Sequence, residues 1–177
     1  AEMSKSASAK ALKRAEKNVA KARSKDSLRA FGKLTETVDG ELRIRNDPPV
    51  IVPIHELFDA KHHQALDEAL RKVIRSYRET LSGDRRRLLE RFHYADAARK
   101  VVGVGSVGTR AWVVLLMGRD ADDPLLLQLK EAEPSVLAPY VGATIYESEG
   151  RRVVEGQRLM ETSPDHLLGW YRLRAWD

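Results

Sequence analysis

The chain predicts an α+β protein, with helices first and a small antiparallel sheet second. Three observations carry this expectation. Apolar residues recur at helical spacing up to about residue 92, and runs of β-formers replace them from Ala98 onward. The glycines at 103, 105 and 108 fall between two of those runs, Ala98 to Val102 and Arg110 to Met117. A helical region over 1–92 containing a short hairpin at about 31–45, followed by a sheet region over 93–177, is the resulting organisation.

Composition sets the outer limits. With 177 residues, 42% apolar and 32% charged, the chain fits one soluble globular domain with room for a proper core. Cysteine is absent, which excludes disulfides and thiolate metal sites and suits a reducing cytoplasm. No apolar run is long enough to suggest a membrane span, and the N-terminus lacks the apolar core of a secretion signal. The net charge of +5 is uneven: residues 1–29 hold nine Lys/Arg against three acids, so the remainder is close to neutral. That basic segment is expected to be a solvated helix face, because no aromatic residues interleave with its cations, and weak nucleic-acid binding through it is an alternative expectation.

Taken in order, residues 6–24 read as an Ala- and Lys-rich helix with a narrow stripe of Leu12, Ala15, Val19 and Ala22. Phe31–Val38 and Glu41–Arg45 flank Asp39-Gly40, a dipeptide that accepts positive φ and suits a tight hairpin. Asp47-Pro48-Pro49 stops regular structure, and Val50–Pro53 is a short extended piece. Residues 55–82 give the strongest helix, its apolar face running through Phe58, Leu66, Leu70, Ile74, Tyr77 and Leu81. Asp84 is placed to cap a shorter helix through Leu88, Leu89 and Phe92. The strand pieces then form a meander whose third member runs from Leu125 to Lys130. A last helix spans about Arg151 to Glu161, and Leu167–Trp176 is an aromatic-rich tail.

The chemistry centres on the glycines. A dinucleotide-binding turn would need a helix to open at them, whereas Thr109–Met117 is rich in β-formers. Glycines between two strands instead suit a flap whose N–H groups approach phosphate oxygens without a side chain in the way. Gly103, Gly105, Ser106 and Gly108 make up that candidate loop, with Ser106 as a small tip residue. Lys130, ending the third strand, is the candidate cation for the phosphates, and Glu155 on the following helix the candidate to orient it. Glu131, Glu133 and Glu147 are alternatives to Glu155. The bland readings stand beside these: a tight glycine hairpin, an edge lysine that blocks strand pairing, and a helix-surface glutamate. The five histidines show no metal-ligand spacing, and Asp120, Asp122 and Asp123 read as a solvated turn.

Longer stretches carry a resemblance. Lys100–Arg110, Leu127–Ala132 and Arg152–Met160, with Lys33–Glu36 and Pro48-Pro49 upstream, resemble an uncharacterised bacterial family, domain-of-unknown-function family 2252. The resemblance covers nearly the whole chain. It implies a relationship to protein-kinase-like and aminoglycoside-phosphotransferase-like folds, and hence a small-lobe-like sheet and ATP with magnesium as ligand. Family members carry a Gly-Asp-x-His-x-x-Asn segment and a downstream acidic segment, neither of which occurs here. The resemblance therefore implies an internal fragment, catalytically incompetent alone, whose partners are the missing portion of the same protein or another copy. The kinase pattern also has Val and Ala where this chain has Arg110 and Gln128, which argues against the usual adenine slot unless the strand register exchanges the faces. A non-catalytic interaction module is the alternative expectation.

Overall fold

The computed structural model describes residues 14, 27–101, 103, 108–120 and 122–172. Of the expected helix over 6–24 they include only Arg14, which is helical; the loop residues Gly105 and Ser106, and Trp176, lie outside them. The architecture is α+β, with a two-stranded hairpin and a four-stranded antiparallel sheet.

Helix α1 (Ser27–Leu34) leads directly into β1 (Thr35–Val38), which turns at Asp39-Gly40 into β2 (Glu41–Ile44). Asp39 and Gly40 both take positive φ, 52° and 81°, as a two-residue turn matched to strand twist requires. The first strand is shorter than expected, because Phe31–Leu34 is helical. The Thr35 hydroxyl donates to the Phe31 carbonyl at 2.9 Å, tying the helix end to the strand start.

A short strand β3 (Ile51–Pro53) is followed by α2 (Ile54–Leu57) and the long α3 (Ala60–Glu79). Residues 55–82 are thus two helices, broken where Phe58 and Asp59 are extended. The His63 ring nitrogen lies 3.1 Å and 2.8 Å from the carbonyls of His55 and Phe58. It serves carbonyl groups that a helix end leaves unpaired. Phe58 accordingly leaves the apolar face and is 45% exposed. The next helix, α4 (Gly83–Leu89), is preceded by Ser82 at the cap position and not by Asp84. The Ser82 hydroxyl donates to Asp84 at 2.6 Å.

The sheet then forms as β4 (His93–Lys100), β5 (Ala111–Met117) and β6 (Pro124–Lys130), in the order β3-β4-β5-β6. Strand β4 starts five residues before the expected Ala98. Its register shifts between Tyr94 and Asp96, and Asp96 is buried. The short helix α5 (Ala138–Val141) and α6 (Glu149–Met160) complete the described chain. Ser148 caps α6 by accepting the Arg151 N–H at 3.2 Å.

Two cores lie on opposite faces of this sheet. On one, Tyr94, Ala97, Val114 and Leu116 meet Ile54, Ile74, Leu81 and Leu89, with Leu125, Leu127 and Leu129 packed alongside. On the other, Ala98, Val113 and Leu115 meet Ile51 and Ile44, with Phe31, Leu34 and Leu126 alongside. Alternate residues of β5 therefore enter alternate cores. Leu115 and Leu116 are fully buried, each side chain contributing about 1.5–3 kcal/mol. Both cores draw on residues from either side of position 92.

Candidate functional site

The glycine-rich connection joins β4 to β5 at one end of the sheet. Val101 N–H donates to the Val50 carbonyl at 2.8 Å, holding the entry side, and Glu131 N–H donates to the Arg110 carbonyl at 3.0 Å at the exit. Gly108 has φ +89°, a left-handed backbone that an L side chain adopts at a cost. Gly103 is exposed, with nothing near its Cβ position.

Register places Lys130 at this same end. It pairs with Ala111, the first residue of β5 after the glycine connection. Lys130 is exposed, and among the described residues it makes no ion pair. Directly opposed residues of an antiparallel pair share a face. Lys130 therefore lies on the face of Ala111, Val113 and Leu115, the side covered by the β1–β2 hairpin.

Arg110 and Glu131 extend the same ladder by one rung and take the opposite face. The Arg110 guanidinium grips Glu131 through both nitrogens, at 3.0 Å from Nε and 2.6 Å from Nη2. The bond from Arg110 holds the Glu131 carboxyl below its ordinary range, and the same contact raises Arg110. Glu131 is thus a partner of Arg110. By this register Ala111 and Val113, not Arg110, share the face of Lys130. Gln128 does lie on that face, opposite Val113.

Among the described residues Glu155 forms no ion pair with Lys130. Its carboxylate accepts from Arg158, one turn along α6, at 3.2 Å. Arg158 also donates to the Leu168 carbonyl at 2.9 Å and lies over the Trp170 ring, while Trp170 N–H donates to Thr80 at the end of α3. These contacts tie α6 to the α3 side of the sheet. Glu147 pairs with Arg151 at 2.6 Å. A hollow of about 140 Å³ lined by Thr80, Ser148, Arg151 and Trp170 lies on that side, below the size of ordinary ligand pockets.

Asp120 and Asp123 spend their acceptors within their own turn. Asp123 takes the Arg119 N–H at 3.2 Å and Asp120 the Asp122 N–H at 3.2 Å. Among the described residues no group of three or more acidic or histidine side chains could hold a metal ion, and no helix is long and apolar enough to cross a membrane.

Lys130 beside the glycine connection had a sequence signal, whereas the Arg110–Glu131 clip did not stand out. Its two members are 21 residues apart and meet only through strand pairing.

Comparison with known proteins found no match among curated proteins and none among solved structures. One family does match, over residues 1–177, and its description is an uncharacterised protein conserved in bacteria. The chain belongs to this family, domain-of-unknown-function family 2252.

Proposed function

We propose that this chain is a nucleotide-phosphate-binding unit of a kinase-like protein and that it binds without transferring phosphate by itself. The observation that carries the reading is the placement of exposed Lys130, unpaired among the described residues, at the end of the sheet where the glycine-rich connection emerges. In this reading Gly103, Gly105, Ser106 and Gly108 lie along the phosphates of ATP, and Lys130 supplies the charge. In this reading Lys130 acts without Glu155, which pairs with Arg158. Magnesium would arrive with the nucleotide, since the one carboxylate that β4, β5 and β6 place on the face of Lys130, Asp96, is buried and accepts the N–H groups of Ile44 and Ala97. The cysteine-free composition supports a cytoplasmic setting. Calorimetric titration with Mg-ATP tests the reading: saturable binding lost in Lys130→Ala supports it, and equal binding by both proteins refutes it.

A second reading, a protein-interaction module, has its own support. Val136, Tyr140, Val141 and Ile145 are 78–93% exposed along one short stretch, a pattern found at surfaces that meet a partner. Light scattering over a concentration series tests self-association, and Tyr140→Glu should abolish any that occurs.

A further inference from the structure

The register that sets Lys130 in place also sets a second lysine. Lys100 pairs directly with Ile51 across β3–β4, and Ile51 belongs to the core under the hairpin. Ala97↔Val114, Ala98↔Val113 and Arg99↔Trp112, carried one step on, bring Lys100 beside Ala111. Ala111 in turn faces Lys130. Ile51, Lys100, Ala111 and Lys130 are therefore one row across all four strands, on one face. The two lysine Cα atoms stand two strands apart, roughly 9.5 Å. Between them is the shortest side chain that still has a Cβ.

Charge separates sharply at this end of the sheet. Arg110 and Glu131 neutralise each other on the opposite face, and Arg99, paired with Trp112, also lies there. The lysine row holds two cations, and its one acidic residue, Asp47 opposite Ile51 at the far end, forms no ion pair with either. Neither lysine side chain forms an ion pair or a hydrogen bond with another described residue. Each is a compact ammonium on a flexible stem, and because Ala111 between them is buried, the two ammoniums would meet a ligand at the end of the sheet and not over that residue. One phosphate group satisfies one such arm. An anion with two or three linked phosphates reaches both.

We infer that Lys100 is a second phosphate-binding residue, acting with Lys130 across Ala111 to select di- and triphosphates over monophosphates. The inference rests on the phosphate reading above and adds a residue and a ligand class to it. The test is calorimetric titration of the full chain with ATP, AMP and inorganic tripolyphosphate at low salt, on the parent, Lys100→Ala, Lys130→Ala and Arg99→Ala. ATP and tripolyphosphate should bind more tightly than AMP. Lys100→Ala should weaken both by about tenfold, the worth of one charge-assisted hydrogen bond. Its effect on AMP should be smaller, and Arg99→Ala, one residue away on the other face, should bind like the parent. Parent-like binding by Lys100→Ala, with loss in Lys130→Ala, overturns the role of Lys100 and leaves the phosphate reading standing. Equal weakening by Arg99→Ala overturns the inference in favour of diffuse attraction. No binding of any probe by the parent overturns both.

Discussion

The carboxylate of Asp96, buried in β4, accepts the backbone N–H of Ile44 at 2.9 Å across 52 residues of sequence. Its other oxygen accepts the N–H of Ala97 at 2.8 Å. One side chain thus latches the β1–β2 hairpin to the main sheet and serves the N–H of Ala97 beside the register shift in β4. Replacing it by alanine strands two buried donors, an expected loss of about 2–4 kcal/mol, measurable by urea unfolding.

The same carboxyl gives a pH signature. Burial raises it above its ordinary 3.8, against the lowering effect of the two N–H bonds. Its contribution to stability is whole below that ordinary value and is lost as pH rises through the raised one. Asp96→Asn has no such group, so its penalty relative to the parent should shrink between pH 4 and pH 7. A penalty that grows over this interval would show that the N–H bonds outweigh burial.

The Arg110–Glu131 clip predicts the reverse behaviour at an exposed site. Glu131 is held below 4.5 chiefly by the bond from Arg110. Its contribution to stability is present above that value and is lost as pH falls through the lowered one. In Arg110→Ala the Glu131 carboxyl should titrate near its ordinary value, as read by carboxyl-carbon NMR.

Gly169 sits where the segment after α6 crosses the end of α3. A Cβ there would meet Thr80 Oγ1 and Tyr77 Cε2 at 2.7 Å and Leu81 Cδ2 at 3.0 Å. Thr80 is itself committed, donating to the Tyr77 carbonyl and accepting from Trp170 N–H. Gly169→Ala should therefore cost about 1–3 kcal/mol through overpacking and lower the melting temperature. Leu159→Ala, at a site 82% exposed, should change stability by less than about 0.5 kcal/mol.

Tyr77 reports on the same junction. Its hydroxyl donates to the Leu167 carbonyl, and burial pushes it up to about 12 from 10. The stability it contributes is whole below pH 10 and is lost as pH rises toward 12. Burial also raises Tyr94, so tyrosinate absorbance should show two late-ionising groups in the parent and one fewer in Tyr77→Phe.

What the sequence made legible was local. Asp39-Gly40 announces its turn because the needed backbone angles belong to those residue types. Strands β5 and β6 announce themselves through runs of β-formers. Phe31–Leu34 was open to misreading, since two apolar residues three apart suit a helix while the following Thr-Glu-Thr-Val favours a strand. The early half of β4 was hidden because Tyr94-Ala-Asp-Ala-Ala has weak strand propensity, and pairing with β5 overrides it. The break at Phe58 was hidden because the ring that serves its carbonyl comes from the next helix. At the site, Lys130 and the glycines stood out as a motif. The position of Glu155 depends on how α6 docks, which Arg158 and Trp170 decide through contacts distant in sequence.

Strand β5 is a party wall. Val113 and Leu115 face one compartment, Val114 and Leu116 the other, and no second layer of protein separates them. Neither compartment can be dismantled while the other stands, because each is lined by β5 residues. Probes placed on either side should therefore report one coincident transition rather than two. A Leu115→Ala variant, expected to cost about 2–5 kcal/mol, should loosen the α3 side as fully as the hairpin side it faces.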